Sequence, residues 1–159
     1  MLTIRVATIA DAPLIGRLIL ELAEYDKELD QVRTTEADIA RDGFGPNAQF
    51  RTMIGEWCGE PVGFAVFFSY YSTWRGAGLY LEDLFVRPNF RRRGIGRALL
   101  AHVARAAEQE GRVFVRWAVL DWNQPAINMY ATLGADFLND WRIVHLAGEG
   151  LRKLAEQNP

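Results

Sequence analysis

The chain has 159 residues, half of them apolar and 24% charged, with a formal net charge of −2. That length supports one domain with its own core, and the composition excludes a disordered or low-complexity chain. The charge balance argues against nucleic acid as a partner, and no apolar run reaches the roughly 18 residues of a membrane-spanning helix. One cysteine, Cys58, excludes an internal disulfide framework and fits a reducing cytoplasm. The N-terminal Met-Leu-Thr-Ile-Arg-Val lacks the basic and apolar regions of a signal peptide. With one Cys and two distant histidines, His102 and His145, there is no metal-ligand spacing, and no metal is expected.

Taken in order, residues 2–6 alternate and predict a first strand. Thr8 and Asp11 have the spacing of a capping box before a helix over 9–27, with Leu14, Leu18, Leu22 and Tyr25 on its apolar face. The end of that helix and the next loop are acidic: Glu21, Glu24, Asp26, Glu28 and Asp30. This run suits a cationic ligand or is simply a solvated helix face. Thr34 or Thr35 caps a second helix that stops at 42–46. Residues 50–57 and 62–71 read as a hairpin around Gly59-Glu60-Pro61, followed by a loop over 72–78 that contains Trp74. The aromatic run over 70–74 can stack on an aliphatic amine or pack at a dimer interface. Later come strands over 79–86, 112–120 and 141–146, and helices over 97–110, 126–133 and 151–157. The order β-α-α-β-β-β-α-β-α-β is α/β with a mixed, largely antiparallel sheet flanked by helices, expected as a single domain over 1–159.

Residues 79–100 organise the rest. Leu79 to Val86 is a buried strand broken only by Glu82 and Asp83. Pro88 and Asn89 end it, and helical spacing begins at Arg97. Between them lies Arg91-Arg92-Arg93-Gly94-Ile95-Gly96. A strand, a glycine turn and a helix leave unpaired N–H groups at a helix N-terminus, where the dipole attracts phosphate. The arginines add charge and bidentate donors. A Rossmann turn requires Gly or Ala where Leu99 stands, and a Walker loop requires a lysine that is absent. The remaining pattern, Arg-x-x-Gly-x-Gly after a strand, resembles the acetyl-CoA pyrophosphate loop of the GNAT N-acetyltransferases. The structural alternative is a solvated basic turn with capping glycines.

Acetyl transfer to an amine needs a group that takes the amine's proton and one that protonates the departing thiolate. Glu82 and Asp83 are expensive in a buried strand unless paired or functional. Either one facing a cleft could bind a cationic amine or accept its proton; either could instead form a salt bridge to a buried arginine or be hydrated where strands splay apart. Tyr130 follows Trp122-Asn123-Gln124-Pro125 on a short helix. It could donate a proton or sit in the core, and spacing does not choose between these.

Asn123, Tyr130 and Leu133-Gly134-Ala135 resemble the Asn…Tyr…Gly-Ala motif of GNAT enzymes. Leu22-Ala23-Glu24-Tyr25, Asp42-Gly43-Phe44-Gly45, Leu79-Tyr80-Leu81-Glu82-Asp83, Trp122-Asn123 and Trp141-Arg142 resemble the spermidine/spermine N1-acetyltransferase family, which includes thialysine- and ornithine-type enzymes. The resemblance covers about residues 3–155. It implies a homodimer that uses acetyl-CoA as co-substrate to acetylate, by direct transfer, a primary amine of a small cationic substrate: a polyamine, a diamine or a basic amino-acid side chain such as that of thialysine or ornithine. It further implies that Glu82 contacts the amine and relays its proton, and that Tyr130 is the general acid. The backbone of Leu84, Phe85 and Val86 would pair with the pantetheine arm. Arg91, Arg92, Arg93, Gly94, Ile95, Gly96 and Arg97 would hold the pyrophosphate, with Asn123 helping to hold CoA. Tyr25, Asp26 and Trp122 would face the substrate. The family's polyamine enzymes carry a longer acidic stretch than residues 135–140, and Lys27 interrupts the acidic run. The match therefore covers the sheet core better than the substrate ends. Competing readings are a peptide or protein N-acetyltransferase and a non-catalytic acyl-CoA-binding module.

Overall fold

In the computed structural model, which describes residues 1–157, five strands form one sheet in the order β1-β2-β3-β4-β5. They are β1 Leu2–Val6, β2 Arg51–Trp57, β3 Glu60–Ser72, β4 Gly76–Val86 and β5 Val115–Arg116. The first three pairings are antiparallel and β4–β5 is parallel, as the expected α/β class with a mixed, largely antiparallel sheet requires. The helices are α1 Ala12–Asp26, α2 Glu36–Phe44, α3 Ile95–Gln109, α4 Gln124–Thr132 and α5 Gly148–Ala155. The chain forms two compact units, Met1–Asn123 and a second that begins at Gln124.

Local chemistry explains the first unit. The Thr8 N–H donates to Asp11 at 2.7 Å, and residues 9–11 make a 3-10 turn before α1 begins, so the regular helix starts later than its apolar spacing suggests. Thr35 caps α2 by accepting from the Asp38 N–H at 3.2 Å. The β2–β3 turn is tighter than expected. Cys58 and Gly59, both at positive φ, form its two-residue link, and Trp57 pairs directly with Glu60. The loop expected over 72–78 is mostly strand, because Ser72 already pairs with Gly76.

The sheet buries both faces. Ile54, Phe64, Val66 and Phe85 pack with Ile15, Leu18 and Ile39 of α1 and α2. On the opposite face lie Ile95, Leu99, Leu100, Val103 and Ala107 of α3. Gly55 sits beneath α3, where an added Cβ would lie 3.3 Å from Ile95 and 3.5 Å from Leu99. Each large side chain buried this way contributes about 1.5–3 kcal/mol.

Two expected strands are corrected. The strand over 112–120 is cut to Val115 and Arg116, in register with Leu79 and Tyr80. The Val113 N–H donates to the Ala77 carbonyl just before it at 2.9 Å, and the ladder to β4 ends at Arg116 among the described residues. Just beyond, β4 bulges, and a bulged strand bends away from a regular neighbour. In the second unit, residues 141–147 form no strand. Their β-branched residues suggest one, but Ile143 and Val144 are 81% and 89% exposed. The same unit contains α4, with Tyr130 buried, and α5.

Candidate active site

The site begins with an irregularity in β4. Val66 pairs with Asp83 but Phe67 pairs with Leu81, so Glu82 is an extra residue opposite one position of β3. The insertion inverts the alternation. Leu81 shares the α3 face with its partner Phe67, whereas Asp83 and Phe85 share the α1 face with Val66 and Phe64. Glu82 is exposed and Asp83 only partly so. Neither carboxylate forms an ion pair among the described residues, so the structural explanation of a salt bridge does not apply to them. Burial, reinforced by the charges of Glu82 and Asp26, pushes the Asp83 carboxyl up to about 7. Asp26, at the end of α1, is raised by burial and by Glu28, with Arg91 opposing.

Beyond the bulge, the edge of β4 that β5 covers at Leu79 and Tyr80 has no ladder partner from Leu81 to Val86 among the described residues. This edge leads into the 3-10 turn Pro88–Phe90 and then to the N-terminus of α3. Arg92 and Gly94 both have positive φ, 61° and 78°. Gly94 is the N-cap of α3, and a Cβ there would meet nothing within 4 Å. The N–H groups of Ile95, Gly96 and Arg97 belong to the first turn, which no helix can pair internally. Ile95 itself is buried and anchors the turn to the core.

The basic side chains do not act alike. Arg91 folds back: its Nε donates to the Val86 carbonyl at 2.9 Å, and its guanidinium lies 4.1 Å from the Tyr25 ring centroid. Arg93 lies over Trp57 and Phe90. Arg92 and Arg97 are exposed. Tyr25 also meets Trp122 at 5.8 Å between centroids, with the Lys27 ammonium 5.5 Å from the Trp122 ring. The acidic run divides: Glu21 is held by Arg87 through two hydrogen bonds of 2.8 and 2.7 Å, while Glu24, Glu28 and Asp30 are exposed. A separate cleft of about 220 Å³ between α1 and α2, lined by residues such as Arg17, Leu20 and Thr35, contains none of the candidate residues.

A family model described as the acetyltransferase (GNAT) family matches residues 17–135. The chain belongs to the GNAT family. It is 42% identical over 163 residues to a thialysine N-epsilon-acetyltransferase of Sus scrofa, with 96% of each chain covered. It is 36% identical over 162 residues to a spermidine/spermine N(1)-acetyltransferase-like protein of Homo sapiens, covering 96% of this chain and 23% of that one. An integron cassette protein from the mobile metagenome of V. cholerae shares the fold, with a TM-score of 0.79, 23% identity and 98% of each chain covered. The resemblance read from the motifs is therefore correct, and this GNAT chain is an N-acetyltransferase.

Within this GNAT chain, the sheet gathers Glu82, Leu84, Phe85, Val86 and the turn 91–97 along one strand and its exit. Packing then brings Tyr25 and Trp122 together beside Arg91. Asn123 closes the first unit, its N–H donating to the Leu120 carbonyl at 2.9 Å. Tyr130 lies on α4 of the second unit, where burial pushes its phenol up to about 12. The sequence reading gave Glu82 precedence over Asp83, yet Asp83 has the strongly shifted carboxyl. No local signal could have found this: Leu81 and Phe85, four residues apart, would share one face of a regular strand, and only the pairing shows that they face opposite helices.

Proposed function

We propose that this chain is an acetyl-CoA-dependent N-acetyltransferase that moves an acetyl group directly to a primary amine of a small cationic substrate. The observation that carries this reading is the unpaired edge of β4, running from the Glu82 bulge to the N-terminus of α3. An extended amide chain can pair with such an edge through the backbone of Leu84, Phe85 and Val86. A pyrophosphate at its end suits the first-turn N–H groups of Ile95, Gly96 and Arg97, the open backbone at Gly94, and the charge of Arg91, Arg92 and Arg93. Asn123 would assist in holding CoA, on the strength of its motif. Acetyl-CoA supplies the activated acetyl group.

Tyr25, Asp26 and Trp122 would frame the amine, and the acidic trio Glu82, Asp83 and Asp26 would favour a cation over a neutral amine. Glu82 accepts the amine's proton, directly or through water, as nitrogen bonds to the acetyl carbon. Tyr130 donates its phenolic proton to the sulfur as the C–S bond breaks. Its assignment rests on the Asn123–Tyr130–Gly134–Ala135 pattern and on burial that keeps the phenol protonated across the physiological range. A single catalytic domain, assembled as a cytoplasmic homodimer, completes the proposal.

The test is free-thiol release from acetyl-CoA against spermidine, spermine, putrescine, thialysine, lysine, ornithine and a basic peptide. Turnover of a small amine supports the reading. Turnover of the peptide alone transfers it to protein acetylation, and binding of acetyl-CoA without any turnover identifies a non-catalytic module.

A further inference from the structure

A second group of side chains lies beside the bulge, and the roles above leave it unused. Arg116 on β5 is in register with Tyr80 on β4. Its Nη1 donates to the Tyr70 hydroxyl at 3.1 Å. Its guanidinium stands 5.3 Å from the Tyr70 ring centroid and 5.4 Å from that of Phe114. Tyr70 in turn packs against Tyr80 and Phe114. Gly78 makes room for this frame, since a Cβ there would lie 2.5 Å from the Phe114 ring. Aromatic walls on several sides hold the guanidinium in place, and its partly buried position limits its hydration.

What this cation lacks is an anion. Of the three arginines on strands, Arg5 is bound to Asp11 and Glu56, and Arg51 is bound to Glu110. Arg116 has no carboxylate partner among the described residues. One of its five donors is used by Tyr70, which leaves the Nη2–Nε edge for a planar oxyanion. The position is informative as well. Tyr80 lies between Glu82 and Arg116: burial and then Glu82 raise its phenol, and Arg116 opposes them. Two residues of strand rise and one interstrand step separate Glu82 from Arg116, about 8 Å between Cα atoms. One ornithine- or lysine-sized molecule can reach both ends.

We infer that Arg116 recognises the α-carboxylate of the acceptor, so that the enzyme acts on the side-chain amine of a basic amino acid in preference to a diamine or polyamine. The inference rests on the proposed amine acetylation, with the amine held at Glu82. A carboxylate at Arg116 and an ammonium at Glu82 would orient the molecule by its two charges. A diamine satisfies Glu82 and places a second cation near Arg116.

The test uses acceptor pairs that differ only in the carboxylate: ornithine with putrescine, and lysine with cadaverine. Wild type is expected to favour the amino acid of each pair. Arg116→Gln should lower kcat/KM for the amino acids by about 10- to 100-fold, mainly through KM, and leave the diamines within about twofold. Arg116→Lys should restore part of the loss. Equal losses for both members of a pair would make Arg116 a structural prop of the aromatic frame and overturn the inference. A wild-type preference for the diamines would also overturn it while leaving amine acetylation intact. Failure of wild type to acetylate any of the four while spermidine or spermine is acetylated overturns this inference alone, and failure across every small amine overturns the amine reading with it.

Discussion

Asp83→Asn should stabilise the protein at neutral and alkaline pH and leave it unchanged in acid. The carboxyl ionises at about 7 in the fold instead of the ordinary 3.8, because burial and the charges of Glu82 and Asp26 oppose its ionisation. At about 1.4 kcal/mol per pH unit, that gap corresponds to roughly 4 kcal/mol. The direction follows from linkage. Below about pH 4 the carboxyl is protonated in folded and unfolded chains alike, and its contribution to stability is fully present. As pH rises the unfolded chain ionises first, and the contribution is lost progressively until the folded carboxyl also ionises near 7. Asparagine keeps the shape of the protonated acid and never ionises. In urea unfolding at fixed pH values, the two proteins should match near pH 4. The variant should then gain steadily, level off above about pH 7, and end ahead by up to roughly 4 kcal/mol. Partial hydration of Asp83 makes that figure a ceiling. The gain should come with a higher KM for a cationic acceptor, since the acidic trio loses a charge. A stability difference independent of pH would refute the assignment of a raised, destabilising carboxyl at the bulge.

Other changes test separate links of the argument. Tyr130→Phe removes only the phenolic proton and should cut kcat by about 100-fold or more while acetyl-CoA affinity, measured by calorimetry, stays constant; unchanged turnover removes Tyr130 from the chemistry. The Thr52 hydroxyl is buried, at 3% residue exposure, with no hydrogen-bond partner among the described residues. Thr52→Val should therefore raise stability by about 1 kcal/mol in denaturant titration, and a loss would reveal a bound water. Gly63→Ala would set a Cβ 2.5 Å from the Phe85 carbonyl oxygen, against backbone that cannot rotate away. It should cost about 1–3 kcal/mol and shift β4 beside the proposed pantetheine edge, weakening acetyl-CoA binding as well.

Much of this molecule was legible from one dimension. Strand, glycine turn and helix over 79–109 were readable because each obeys a local rule: unbroken apolar character, chain-breaking Pro88, left-handed Gly94, and helical spacing after it. The motifs at 91–96 and 123–135 likewise pointed to the GNAT family from residue types and spacing alone. Local reading misled where an element depends on a partner. Residues 141–146 have strand composition without a ladder, and 112–120 leaves the sheet after Arg116 because its neighbour bends.

Sequence determined the family, the helices and the central strands, and the identities of the candidate groups, since those follow from short-range periodicity and from residues whose chemistry is intrinsic. Only tertiary structure decided which groups share an environment. The Glu82 bulge exists solely as a mismatch between two strands, and with it comes the turn of Asp83 to the α1 face. Arg91 lies on Tyr25, 66 positions away, and Arg116 on Tyr70, 46 positions away. Desolvation and charge proximity are properties of three-dimensional neighbourhoods. Without the folded sheet, Asp83 is an ordinary carboxylic acid and Arg116 one of many basic residues.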